Sequence, residues 1–117
     1  MTIQQCYAAL EGDCEEVMGR LYSEALVRKF VGKFLTDPSF QLLEDSIKAG
    51  SREEAFRAAH TLKGVSQNLS FTKLYQSSRD ITEALRTENF ELAVQLLHRV
   101  EADYAQTVDA IRMLQDG

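Results

Sequence analysis

The sequence AFRAAHTLKGVSQNLS, residues 55–70, carries the strongest evidence for the fold. Small and apolar residues recur in it at alternating spacings of four and three, the pattern of a helix that packs in a bundle. This stripe consists of Ala55, Ala59, Leu62, Ser66 and Leu69. We therefore predict a helix with one side facing a core and the other facing solvent.

His60 lies on the side away from this stripe. Successive side chains are about 100° apart around a helix, which places several residues within about 60° of His60. They include Phe56, Arg57, Lys63, Gly64 and Gln67. A glycine inside a helix costs about 1 kcal/mol relative to alanine, and on an exposed face no core packing would explain it. Gly64 instead leaves room for another macromolecule to approach the imidazole.

An exposed imidazole beside a cation is suited to phosphoryl chemistry. Neutral imidazole is a nucleophile near neutral pH, because its pKa lies near 6.5. Its attack on a phosphoryl group would give a phosphoimidazole, whose developing charge Lys63 could stabilise. General acid–base catalysis on a small molecule is less favoured, since it needs a concave pocket and an orienting carboxylate.

The rest of the chain also has helical periodicity. One proline and six glycines in 117 residues leave little material for the turns of a sheet protein. Helix-capping and turn residues predict helical segments at 3–10, 14–35, 38–49, 52–68, 71–86 and 89–115. Ser51 and Glu54 fit a capping box, and Ser70 fits an N-cap. The connections are short, which favours antiparallel neighbours.

We predict an all-α domain spanning residues 1–117. Residues 37–117 would form an antiparallel up-down four-helix bundle, and residues 1–36 would form additional N-terminal helical segments. Each bundle segment has an apolar stripe at helical spacing. The stripe of 38–49 is Phe40, Leu43 and Ile47, and that of 71–86 is Leu74, Ile81 and Leu85. The last stripe is Phe90, Val94, Leu97, Val100, Tyr104, Val108 and Ile111.

Composition and charge exclude several functional classes. The net charge of −5 argues against nucleic-acid binding, because neutralising phosphates needs a basic surface. No apolar run approaches the roughly 18 residues of a membrane span, and the N-terminus does not resemble a signal peptide. We therefore expect a cytoplasmic protein without membrane contact.

Cys6 and Cys14 give only a weak metal signal, so we expect no metal site and reduced thiols that serve in packing.

The stretch AHTLKGVSQNLSFTKL, residues 59–74, resembles the histidine-containing phosphotransfer (HPt) family of two-component phosphorelays. The resemblance implies that His60 accepts and donates the phosphoryl group, that Lys63 stabilises the phosphohistidine and that Gly64 gives the partner access. Phe56, Arg57, Gly64 and Gln67 would form the docking surface. Many members of the family have a glycine near the position of Ser70.

The resemblance also implies the partners. These would be receiver domains of response regulators or of hybrid histidine kinases, and the receiver would bring the phosphorylated aspartate and the magnesium ion. The chain itself would need no cofactor. It has no phosphate-binding loop of the G-x-x-x-x-G-K-S/T kind, so we expect no ATP site and no autonomous kinase activity. A monomer is expected.

Two alternative functions remain open. The chain could be a non-catalytic helical adaptor, in which the HTLKG sequence has no chemical role. It could also be a phosphoacceptor domain detached from a larger sensor kinase. In that family the histidine is generally followed by an acidic residue and, five positions on, by proline, whereas this chain has Thr61 and Val65 there. The start methionine and the short tail favour a separate protein.

Overall fold

Seven α-helices account for most of residues 1–116, the part of the chain described by this computed structural model. They are α1 (Ile3–Leu10), α2 (Cys14–Leu21), α3 (Glu24–Phe34), α4 (Ser39–Lys48), α5 (Arg52–Asn68), α6 (Thr72–Arg86) and α7 (Phe90–Asp116). No strand occurs among these residues. The all-α prediction is confirmed.

Helices α4 to α7 form the predicted four-helix bundle. Helix α5 packs against α4 and α6, α6 packs against α7, and α4 closes the bundle by contacting α7. The connections at 49–51, 69–71 and 87–89 are short, and a short connection between packed helices makes them antiparallel. The stripes of α4 and α6 are buried, including Phe40, Leu43 and Ile81.

The N-terminal helices pack onto this bundle. Helix α1 lies against α7, and an aromatic cluster joins α1 and α3 to the turn between α5 and α6. In this cluster the ring centroid of Phe71 lies 5.8 Å from that of Tyr7 and 5.2 Å from that of Phe34. Buried side chains from all seven helices form one continuous core. The assignment of residues 1–117 to one domain stays a prediction, because Gly117 lies outside the described residues.

The predicted helix 14–35 is wrong, because this segment forms two helices. The chain turns at Tyr22, whose φ of 62° is left-handed. Ser23 then caps α3, its hydroxyl accepting a hydrogen bond from the amide of Leu26 at 3.3 Å. Gly19 and Gly32, the two glycines of this segment, lie inside helices. Helix α2 thus ends at the left-handed Tyr22 rather than at a glycine.

The predicted caps of α5 and α6 are also corrected. Ser51 is the N-cap residue of α5, but its side chain makes no capping hydrogen bond, so the capping box with Glu54 does not form. Helix α6 begins at Thr72 after Phe71, not after Ser70. Ser70 has a left-handed φ of 56°, and its hydroxyl bonds to residues of α2. The remaining predicted boundaries differ from the structure by one residue at each affected end.

The predicted stripe of α7 contains one error. Val94 is 42% exposed, whereas the neighbouring Ala93 is fully buried. Ala93 lies one helical turn before the buried Leu97. At this turn the smaller alanine side chain, not that of Val94, therefore faces the core. The stripe also continues to Leu114, which is buried in the core.

Candidate functional site

The apolar stripe of α5 faces the core, as its spacing predicts. Ala55, Ala59, Leu62 and Ser66 are fully buried, and Leu69 is nearly so. His60 projects from the opposite side and is exposed. Packing of the stripe between α4 and α6 therefore fixes the rotation of α5 and holds the imidazole in solvent.

The imidazole of His60 contacts one aromatic side chain of its own helix. It lies parallel to the ring of Phe56, with ring centroids 6.0 Å apart and an interplanar angle of 10°. Rings at about 4.5–7 Å attract one another. Phe56 also lines a groove with Leu85 and Phe90, at the ends of α6 and α7. The ring thus supports the imidazole from one side and leaves the residue exposed.

Lys63 lies beside this histidine and is half-buried. Within residues 1–116, no carboxylate approaches the Lys63 ammonium to within 4.0 Å. Glu83 on α6 is close enough for its carboxylate to interact electrostatically with the Lys63 ammonium. The pKa of Glu83 is lowered first by its hydrogen bond from Arg86 and, more weakly, by the charge of Lys63. The cation next to His60 is therefore not neutralised by a direct ion pair.

Gly64 lies one turn after His60, and packing does not require a glycine there. A Cβ atom added to Gly64 would meet no atom within 4 Å. The missing side chain leaves open space beside the imidazole, so the prediction of an accessible face rests on an observed gap.

Arg57 and Gln67 lie on the same exposed face. Arg57 pairs with Glu53 at 2.8 Å, but both side chains are largely exposed, so this ion pair contributes about 1 kcal/mol or less. Gln67 has an exposed side chain, while its backbone carbonyl is bound by Arg20. The structure thus brings together all six residues that the sequence analysis selected. Their roles stay predictions.

The sequence analysis missed an apolar groove beside the site helix. Its volume is about 400 Å³, and it runs between α3 and α5. The lining residues are Arg20, Leu21, Phe30, Lys33, Phe34, Asp37, Val65, Asn68 and Leu69. Phe30 is the exposed large apolar side chain among them, and a single exposed residue gives little sequence signal for a groove.

No metal, disulfide or membrane feature accompanies the site in the described part of the chain. Residues 1–116 contain no group of three His, Cys, Asp or Glu side chains placed to hold a metal ion. Cys6 and Cys14 are free, and burial raises the pKa of the Cys6 thiol to about 11. Cys6 is therefore protonated near neutral pH. None of the described helices has the length and hydropathy needed to cross a bilayer.

Comparison with known proteins identifies one family. The sequence model of the Hpt domain matches residues 25–110, from the start of α3 through most of α7. This range contains His60, Lys63 and Gly64, whereas α1 and α2 precede it. Neither the curated proteins nor the solved structures gave a match.

Proposed function

The chain belongs to the Hpt domain family and has a phosphotransfer-related role in two-component signalling, and from this premise we propose that it is a phosphorelay intermediate. In this proposal His60 accepts a phosphoryl group from an aspartate of one receiver domain and passes it to an aspartate of another. The observation that carries the proposal is the exposed His60 beside a cation without a direct ion pair and beside a glycine with open space around it.

The transfer step uses the lone pair of a neutral imidazole nitrogen of His60. This nitrogen attacks the phosphorus of the aspartyl phosphate, a P–N bond forms, and the P–O bond to the aspartate breaks. The carboxylate is the leaving group, and the second imidazole nitrogen releases its proton to solvent. Since His60 is exposed, no internal base is needed to take that proton. The return transfer runs through the same bonds in reverse.

Lys63 and Gly64 serve this step in different ways. Phosphorylation places negative charge on His60, and the nearby ammonium of Lys63 offsets it. The open space at Gly64 allows the receiver's aspartate to approach along the surface of α5. The magnesium ion belongs to the receiver in this proposal, and this chain supplies only the nucleophile, the cation and the docking surface.

The docking surface extends from His60 in two directions. Phe56 and Arg57 lie toward the start of α5, and Gln67 lies toward its end. Beyond Gln67, the groove lined by Phe30 and Val65 offers apolar area for burial against the receiver, and burial of such area drives most protein association. Lys33 at its rim would complement an acidic side chain of the partner.

Chemical stability of the transferred group tests the proposal. The chain is mixed with receiver domains that carry a radioactive aspartyl phosphate, and the label on the chain is then exposed to acid and to base. We expect a label that survives base and is lost in acid, as a P–N bond requires. An acid-stable label would indicate a hydroxyl acceptor. No label from any receiver would favour a helical adaptor.

A further inference from the structure

The turn after the site helix is held by a set of residues that we call the N-terminal clamp, consisting of Tyr7, Asp13, Glu16 and Arg20. The Tyr7 hydroxyl donates a hydrogen bond to the carbonyl of Leu69 at 2.7 Å. The amide of Asp13 donates to the carbonyl of Ser70 at 2.9 Å. Both bonds connect the start of the chain to the residues that end α5.

Arg20 makes the most extensive contacts of the clamp. Its Nη1 atom donates to the carbonyls of Gln67 and Asn68, at 3.0 and 2.8 Å, and to the Ser70 hydroxyl at 3.0 Å. The last carbonyls of a helix have no partner within the helix, and a basic side chain can bind them. Here that side chain comes from another helix.

Ser70 links Arg20 to a second residue of the clamp. Its hydroxyl donates to the Glu16 carboxylate at 2.7 Å, while Glu16 also lies 3.5 Å from the Arg20 guanidinium. Ser70 is 2% exposed and has a left-handed backbone. The two hydrogen bonds of its side chain therefore hold a turn that is otherwise unfavourable for a serine.

The backbone of the N-terminal segment also packs tightly against this turn. A Cβ atom added to Gly12 would lie 2.5 Å from the carbonyl oxygen of Ser70, which is too short for a real contact. Gly12 thus allows an approach that no larger residue permits. The segment and the turn fit together through backbone as well as side chains.

We propose that the N-terminal clamp positions the end of α5 for docking of the receiver domain, and that Arg20 is its main positioning residue. This inference rests on the proposed function. The clamp holds Gln67, on the docking surface, and Asn68 and Leu69, in the adjoining groove. Helices α1 and α2 precede the range matched by the family model, so the clamp is an addition to the matched part of the domain.

The clamp should affect binding of the receiver more than the chemical step. Gln67 is seven residues from His60, a distance of about 10 Å along the helix axis. Loosening the turn would displace the docking residues at that end of α5. The reacting imidazole, which is fixed by the buried stripe in the middle of the helix, would stay in place.

Two clamp variants and one control test this proposal. Arg20→Ala removes all three hydrogen bonds of the guanidinium, and Tyr7→Phe removes only the bond to Leu69. Tyr7 is 1% exposed, so it cannot touch a partner. The control is Arg28→Ala, because Arg28 forms a similar exposed i,i+4 ion pair with Glu24 at 3.5 Å but lies on α3.

We expect both clamp variants to weaken receiver binding, by about tenfold for Arg20→Ala and a few-fold for Tyr7→Phe, since one hydrogen bond is worth roughly a factor of ten or less. The phosphotransfer rate at saturating receiver should stay unchanged, and Arg28→Ala should match the wild type in both quantities. Unchanged binding by both variants would overturn the proposal. Weaker binding by Arg20→Ala alone would also overturn it, because Arg20 would then be a direct contact.

A second measurement does not depend on phosphotransfer. Hydrogen exchange of the amides at 69–71 reports the order of the turn in the free protein. Arg20→Ala should accelerate this exchange about tenfold, while Arg28→Ala should not. Unchanged exchange at the turn would refute the clamp itself. Faster exchange in a protein that accepts no phosphate would instead refute the proposed function.

Discussion

Gly64 lies one helical turn after His60 on the same exposed face, and its missing side chain leaves open space beside the imidazole. No atom lies within 4 Å of where its Cβ would be. Stability therefore favours alanine at this position, because glycine costs a helix about 1 kcal/mol. The phosphotransfer proposal gives a reason for the glycine, which is access for the partner.

Gly64→Ala should stabilise the protein and slow phosphotransfer. The free energy of unfolding should rise by up to about 1 kcal/mol. A methyl group in the path of the receiver should slow transfer by about tenfold, the effect of about 1.4 kcal/mol. Gly19→Ala is the matched control, because a Cβ at Gly19 also meets nothing within 4 Å and Gly19 lies on α2. Equal transfer rates for the two variants would remove the access argument.

Lys63 and Lys73 should respond to alanine substitution in opposite ways. Lys63→Ala should shorten the lifetime of the phosphohistidine or slow transfer by about tenfold, because a charge-assisted contact is lost, with little change in the melting temperature. Lys73 bonds to Glu11 at 2.8 Å and to Gln106 at 3.0 Å, so Lys73→Ala should lower the melting temperature and leave transfer intact. A large drop in melting temperature for Lys63→Ala would show that Lys63 is structural.

Replacement of Ser70 by glycine should cost less stability than replacement by alanine. Ser70→Ala keeps the left-handed backbone and loses the bonds to Arg20 and Glu16, so it should destabilise the protein by about 1–3 kcal/mol. Ser70→Gly loses the same bonds but removes about 1 kcal/mol of backbone strain. The glycine variant should therefore be the more stable of the two in urea unfolding. The reverse order would contradict the backbone conformation described for this turn.

Glu101 should destabilise the fold near neutral pH. Contact with the Glu44 carboxyl on α4, aided by burial, raises the pKa of Glu101. The folded state thus disfavours the ionised carboxylate. The resulting loss of stability is full at pH values above the raised pKa and is absent at pH values below the ordinary carboxyl pKa. Glu101→Gln should increase stability at neutral pH by up to about 1 kcal/mol, because its side chain is partly exposed. The gain should disappear as the pH falls through the carboxyl range.

Glu11 provides the control of opposite sign for this pH dependence. Its hydrogen bond from Lys73, followed by one from Gln106, lowers the pKa of Glu11. A lowered pKa contributes stability above the ordinary carboxyl pKa that is lost as pH falls through the lowered value. Glu11→Gln should therefore reduce stability at neutral pH and have little effect in acid. If both variants changed stability in the same direction, the electrostatic account of these two sites would be wrong.

The sequence predicted the bundle because its signals are local and periodic. The stripe from Ala55 to Leu69 determines which way α5 faces, and the same stripe places His60 in solvent. Once the buried side of a helix is known, the directions of its other side chains follow without information from the rest of the chain. This is why the six residues selected from the sequence lie together in the structure, while their chemical roles still require experiments.

The features that the sequence did not predict depend on contacts between distant residues. Arg20 reaches carbonyls of residues 67 and 68, almost fifty positions away, and no periodicity links them. The same contacts explain why Ser70 fails as an N-cap, since its hydroxyl is already bound by α2. The break at Tyr22 was missed for a different reason, because its left-handed turn carries no glycine.

The most direct test of phosphotransfer to His60 compares two histidine variants. Wild type, His60→Gln and His98→Gln are each mixed with a panel of phosphorylated receiver domains, and the label on each protein is measured. His98 is exposed on α7 with a Glu101 oxygen 3.6 Å away, so it controls for any surface histidine. We predict label on the wild type and on His98→Gln, and none on His60→Gln. Equal label on His60→Gln, or none on the wild type with any receiver, would contradict the account.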